Sequence, residues 1–179
     1  IAEFGKGNFN AELEKFPGKK AFINENIELL RANVSRFIED MAHMAQEHDA
    51  GDIDVSIPTE SYKGSFQTMA KGVNDMVNGH IAVKKKAMAC IAEFGKGNFA
   101  APLEKFPGKK AFINDTIEKV RENLQGVTAE AATLSKAADS GELSVRADET
   151  KYAGAWKEII HGMNQTLQGF MVPMDEIGK

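Results

Sequence analysis

The sequence predicts an all-α protein: stacked parallel four-helix-bundle (coiled-coil) units, each completed by a homodimer. Three observations predict it. Residues 1–28 and 91–118 are identical at 24 of 28 paired positions, the mark of a repeat architecture. A weaker match halves the period: Gly51-Asp-Ile53-Asp-Val55 and Gly141-Glu-Leu143-Ser-Val145 sit midway. Gly7, Gly51, Gly97 and Gly141 are thus spaced 44, 46 and 44 apart, each followed two residues on by a bulky apolar residue. Between these glycines, apolar residues step by 3 and 4, which is the seam of a coiled coil. The chain reads as four units of two alternating types.

Residues 1–6 read as the tail of a helix closed by Gly5 or Gly7, since glycine ends helices at little cost. A linker over about 8–16 carries Phe9, Leu13 and Phe16. Pro17 suits the first turn of the next helix, where its missing N–H is no loss. There Ile23, Ile27, Leu30, Val34, Phe37, Met41, Met44 and His48 hold the seam for more than three heptads until Gly51. In the linker 51–64, Ile53, Val55 and Ile57 alternate with polar residues. The second long helix carries Phe66, Met69, Val73, Met76, His80, Val83, Ala87, Cys90 and Phe94 and stops at Gly95 or Gly97. A linker of about ten residues holds Phe99, Leu103 and Phe106, and Pro107 opens the third helix. Its seam is Ile113, Ile117, Val120, Leu124, Val127, Ala131, Leu134 and Ala138, ending at Gly141. The last linker, about 141–154, holds Leu143, Val145 and Tyr152. Trp156, Ile160, Met163, Leu167, Phe170, Met174 and Ile177 carry the final seam, with Pro173 placed to kink it.

The linkers decide the geometry. Antiparallel helical hairpins use connections of about 2–8 residues, whereas these run to roughly 10–14 and carry apolar residues. Ten to fourteen extended residues span about 33–46 Å. Half of one long helix, some 14 residues, is only about 21 Å long. Each linker can therefore run back along the preceding helix, pinned in the groove by Phe9, Leu13, Ile53, Val55, Phe99, Leu103, Leu143 and Val145, so that the next helix starts again from the bottom. Each long helix then serves two units. Two parallel helices make half a bundle, and a second copy completes it. The dimer seam falls to Ile27, Leu30, Val34, Phe37, Met41, Met69, Val73, Met76, His80, Ala87, Ile117, Val120, Leu124, Leu134, Ile160, Met163 and Leu167. The unit boundaries are 1–36 (first helix truncated), 37–83, 84–126 and 127–172, with 173–179 starting a following helix.

Composition narrows the function. The 179 residues are 42% hydrophobic and 27% charged with a net charge of −4, ordinary for soluble protein. Lys84-Lys-Lys86 and the lysine pairs at 19–20 and 109–110 are too local for a nucleic-acid footprint, which needs a broad basic stripe. One cysteine, Cys90, excludes an internal disulfide framework and suits a reducing, cytoplasmic setting. No apolar run approaches a membrane span of about 20 residues, so no direct membrane contact is expected of this segment. The chain begins and ends inside patterned segments, as expected of an excerpt whose parent protein can carry a membrane anchor.

Site chemistry is sparse. His48 and His80 fall on seam positions, where polar residues set register at some loss of stability; His43 and His161 lie off the main seam. The Glu-x-x-His spacing of a bundle metal site occurs once, at Glu158–His161, where such a site needs two, so no metal or cofactor is expected. Cys90 reads as a small seam residue with nothing nearby to lower its pKa. Gly-Lys-Gly-Asn lacks the spacing of a phosphate loop. No nucleophile elbow or paired-carboxylate arrangement occurs either, and an enzyme reading has no residues to rest on.

A helix ending in glycine-x-(large apolar), a dozen-residue linker with a second anchor, then a parallel heptad helix resembles the HAMP domain. Four such units running helix into helix resemble the poly-HAMP arrays of bacterial chemoreceptors and sensor kinases. Glu93-Phe-Gly-Lys-Gly-Asn-Phe99, Phe106-Pro-Gly-Lys-Lys-Ala-Phe-Ile-Asn114 and Gly141-Glu-Leu-Ser-Val-Arg-Ala-Asp148 are similar to methyl-accepting chemotaxis proteins with several such units. The family often opens the second helix with an acidic residue and a glycine. Glu60-Ser-Tyr-Lys-Gly64 and Glu149-Thr-Lys-Tyr-Ala-Gly154 are stretched versions, and units 1 and 3 carry Lys-Phe-Pro-Gly instead. The resemblance implies a relay that passes conformational change from a sensor domain to kinase-controlling helices, acting on a histidine kinase and its coupling protein. A rigid dimeric spacer, the same relay within a sensor histidine kinase, and a metal-binding bundle are the rival readings.

Overall fold

Each long seam forms one helix. The computed structural model describes residues 1–177, and side-chain surroundings for residues 1–170. Helix α1 spans Ala2–Gly5, α2 Ala21–Ala50, α3 Gly64–Gly95, α4 Ala111–Asp139 and α5 Ala155–Ile177, and no strand occurs among the described residues. The expected kink at Pro173, the seam positions Met174 and Ile177 and the segment 173–179 lie outside the described side chains.

Glycine fixes the helix ends. At the end of α2, Gly51 takes φ 104°, its N–H donates to His48 O and the Asp52 N–H donates to Glu47 O. This double bond satisfies two carbonyls that the helix leaves without partners. A Cβ at this left-handed position would cost about 1–2 kcal/mol. The same pair of bonds recurs at Gly7 and Asn8, Gly97 and Asn98, and Gly141 and Glu142.

The second helices of units 1 and 3 open later than the prolines lead one to expect. Pro17 and Pro107 are extended (ψ 159° and 151°) and precede a single 3₁₀ turn, Gly18–Lys20 and Gly108–Lys110; α2 and α4 begin at Ala21 and Ala111. Gly18 and Gly108 have φ +62° and +58°, outside the right-handed helical region, and regular helix starts only beyond the turn they open. Each connector thus runs between two left-handed glycines, eleven residues apart in units 1 and 3 (Gly7 to Gly18, Gly97 to Gly108) and thirteen in units 2 and 4 (Gly51 to Gly64, Gly141 to Gly154).

The chain forms two compact halves, Ile1–Ala82 and Val83–Lys179. In the first, His48 near the end of α2 meets Val55 just after it, whereas Asp40, well before that end, meets Tyr62 at the doorstep of α3. The connector therefore runs back along α2. It also runs against α3, since Thr59 bonds Gln67 while the earlier Ile57 bonds the later Asn74. A connector antiparallel to both helices makes the helices parallel to each other. In the second half the same logic holds for α4 and α5. Lys151 lies 3.8 Å from Glu130, and the preceding Ala147 and Arg146 meet Asn164 and Gln168 in turn. Tyr152 crosses α4 at Gly126, where a Cβ would sit 2.6 Å from the phenol oxygen.

Apolar burial follows this arrangement. Within the first half, Phe37, Met44, Ile57, Tyr62 and Ala70 form one core. The second half has two: Ala87, Cys90, Phe94 and Ile117, then Leu134, Ala147, Ile160 and Leu167. Helix α4 contributes to both, Ile117, Val120 and Leu124 to the former and Val127, Leu134 and Ala138 to the latter.

Candidate functional site: clamps between helix and connector

An extended connector lying against helices has no strand to pair with, so side chains must satisfy its buried backbone groups. One asparagine on the second helix of each unit does so. In unit 2 the Ile57 N–H donates to Asn74 Oδ1 at 3.0 Å, and Asn74 Nδ2 donates to Ile57 O at 2.8 Å. In unit 4 the Ala147 N–H donates to Asn164 Oδ1 at 2.8 Å, and Asn164 Nδ2 returns to Ala147 O at 3.0 Å. Units 1 and 3 use a looser version. Asn24 binds Phe16 N–H and Glu14 O; Asn114 binds Phe106 N–H and Glu104 O at 2.9 and 2.7 Å.

A second group distinguishes the unit types. Units 1 and 3 hold the connector with an arginine from the second helix. Arg31 donates to Ala11 O at 2.6 Å and lies 4.5 Å from the Phe4 ring; Arg121 donates to Phe99 O at 2.6 Å, 4.9 Å from Phe94. Cation–π contact adds to each hydrogen bond. Unit 2 instead inserts Tyr62, which donates to Asp40 Oδ2 at 2.5 Å and packs edge-on against Phe37. Burial first, then the bond to Asp40, push this phenol up to about 12. In unit 4, Glu149 accepts from Asn164 Nδ2 at 2.9 Å and faces His161 Nδ1 at 3.0 Å. Those two bonds hold its carboxyl below the usual carboxylate range, Asn164 contributing most.

The expected seam divides by burial within a single chain. Phe37, Ala87, Ile117, Leu134, Ile160 and Leu167 are buried, and Ile27, Val34, Val73, Val120, Leu124 and Met163 half-buried. Leu30 (51%), Met41 (39%), Met69 (49%), Met76 (59%) and His80 remain exposed. Among the connector positions, Phe9, Leu13, Val55, Phe99, Leu103, Leu143 and Val145 are half-buried, whereas Ile53 stays exposed and Ile57 takes the core position in unit 2. His48 does more than sit on a seam: its Nε2–H donates to Val55 O at 2.8 Å, tying the connector down. Cys90 is buried as a small core residue, yet it has a cationic neighbour, because α4 brings Arg121 Nη2 to 3.6 Å from Sγ across 31 residues of sequence. Among the described residues no group of three or more His, Cys, Asp or Glu is placed to hold a metal ion, and no helix is long and apolar enough to cross a membrane.

Two outcomes follow from this chemistry. Asn164→Ala strands both backbone groups of buried Ala147, and chemical denaturation should report a loss of about 1–3 kcal/mol; an unchanged midpoint contradicts the clamp. Tyr62 titrates higher in the fold than its ordinary 10.0, so its contribution is complete below pH 10 and is lost as pH rises from there towards 12. Circular dichroism should show that alkaline loss shrinking in Tyr62→Phe.

Comparison with known proteins identifies the family. Residues 1–35 and 83–125 match the family described as HAMP N-terminal domain 3. Residues 36–79 match that described as the second HAMP domain of methyl-accepting chemotaxis protein McpB. Together these matches cover about two thirds of the chain. The chain is also similar to methyl-accepting chemotaxis protein McpB of Pseudomonas aeruginosa strain PAO1, 41% identical over 109 residues, which is 60% of this chain and 16% of that protein. The chain therefore belongs to the HAMP family, as a poly-HAMP array of the methyl-accepting chemotaxis type.

Proposed function

We propose that this array relays conformational change, as a cytoplasmic parallel homodimer, from a sensor domain to the kinase-control region of a chemoreceptor that acts on a histidine kinase and its coupling protein. The observation that carries the reading is helix sharing. Helix α4 packs as the second helix of unit 3 through Ile117, Val120 and Leu124, and as the first helix of unit 4 through Leu134 and Ala138. A rotation or shift that repacks one core is thereby imposed on the next. The units assigned to the relay are 1–36, 37–83, 84–126 and 127–172.

Dimerisation is supported by the apolar side chains that one chain leaves in water. Leu30, Met41, Met69 and Met76 lie on the helices of units 1 and 2 with 39–59% of their surface exposed, and a second copy of the same stripe would cover them. Relay also requires two packings only a few kcal/mol apart. Methionine, with its flexible and polarisable side chain, repacks at little cost, and His80 adds a polar group where leucine would lock one geometry.

In the full-length parent receptor, His80→Leu is expected to shift kinase output about fivefold or more, equivalent to about 1 kcal/mol of bias between packings. Output unchanged across His80→Leu, Met76→Leu and Met69→Leu, with the dimer intact by sedimentation, would leave a rigid spacer as the account of this chain.

A further inference from the structure

Glycine inside a helix weakens it relative to alanine. Of the described glycines inside the long helices, Gly72, Gly79, Gly162 and Gly169 have open space within 4 Å of where a Cβ would stand. Gly126 differs, because its missing side chain leaves a notch that is filled. A Cβ there would lie 2.6 Å from Tyr152 Oη and 3.3 Å from Cε1 and Cζ.

The notch lies where α4 passes from one unit to the next. Leu124 packs in the unit 3 core and Val127 in the unit 4 core. Gln125, the neighbour of Gly126, donates from Nε2 to Phe99 O at 3.1 Å, and Arg121, one turn earlier, donates to the same oxygen at 2.6 Å. One turn of α4 therefore carries the first anchor of unit 3's connector, on Gln125, and the aromatic end of unit 4's connector, on Gly126.

Unit 2 shows that the tyrosine alone does not dictate this seat. Counting ninety residues back, Gly126 corresponds to Arg36, Glu130 to Asp40 and Tyr152 to Tyr62. With an arginine in place of the notch, the Tyr62 hydroxyl stops at Asp40, 2.5 Å from Oδ2 and one turn short of Arg36. Glycine at 126 lets the phenol of unit 4 reach a turn further, towards unit 3.

We infer that Tyr152 is seated in the Gly126 notch so as to fix unit 4's connector to the turn of α4 that holds unit 3's connector. Both are positioning residues for the relay, and the inference rests on that reading. When unit 3 repacks and α4 turns or slides, Gln125 and Gly126 move as one. The ring must follow or leave its notch, and groups joined through one backbone shift do not respond independently.

The test is residue-resolved amide hydrogen exchange, by NMR, across the whole 179-residue chain. Three amides report: Ala101, buried in unit 3's connector and donating to Asn98 O; Ala147, donating to Asn164 in unit 4; and Ile57, donating to Asn74 in unit 2. Gly126→Ala is expected to speed exchange about fivefold or more at both Ala101 and Ala147, with Ile57 unchanged. Tyr152→Leu, which empties the notch and keeps the glycine, is expected to do the same and carries the test should Gly126→Ala not fold. Combining Gly126→Ala with Tyr152→Phe removes the oxygen at 2.6 Å, leaving ring carbons at 3.3 Å, and exchange should return towards that of the unaltered chain. Acceleration at Ala147 without Ala101 would make the contact local to unit 4 and overturn the inference. Equal acceleration at all three amides, none at any, or no recovery in the double variant would overturn it too. The readout involves no kinase, so the notch can hold where kinase output ignores His80→Leu, and the reverse.

Discussion

The structure depends on keeping an extended chain satisfied in a groove between two helices. A connector that doubles back exposes its amides and carbonyls to helix surfaces whose own backbone groups are already paired. Leaving such groups unbonded costs about 1–3 kcal/mol each, enough to undo a marginal unit. Asn24, Asn74, Asn114 and Asn164 meet that demand, each offering one acceptor and one donor to the same stretch of connector. Parallel helices are a consequence. Without a stable return path, a helix ending at Gly51 or Gly141 would be followed by an antiparallel neighbour.

The two unit types meet this demand with different chemistry. In units 2 and 4, a thirteen-residue step from glycine to glycine leaves room for Tyr62 or Tyr152 to pack into or against the core beside a symmetrical asparagine clamp on one residue. In units 1 and 3, eleven residues bring the connector within reach of an arginine stacked on Phe4 or Phe94. The first is a direct grip on both backbone groups of one residue; the second is a charged fork on one carbonyl of the connector.

Much of the fold was legible from the residues because it follows from periodicity. The 3–4 steps place Ile160 and Leu167 on one helix face, and both are buried. Gly51 and Gly141 mark helix ends because little else takes a left-handed conformation. The clamps were not legible in this way. Asn74 and Asn164 look like ordinary polar residues of a helix, and their role depends on partners seventeen residues away on a connector with no regular structure. The interval of eleven or thirteen residues between glycines was present in the sequence and would have separated the two unit types. Pro17 and Pro107 misled because Gly18 and Gly108 interpose a 3₁₀ turn. The contact between Cys90 and Arg121 was not legible, because the two meet only through folding.

The central claim is that connectors return and neighbouring helices point the same way. Pulsed electron–electron distance measurement tests it most directly, with spin labels on exposed Thr128 of α4 and, in separate samples, exposed Lys157 or Gln168 of α5, diluted into unlabelled chains so that only intramolecular pairs are read. Parallel helices predict a short Thr128–Lys157 distance and a Thr128–Gln168 distance longer by roughly 10–15 Å, the rise of eleven helical residues being about 16 Å. The reverse order, with Gln168 the nearer partner, would contradict the account.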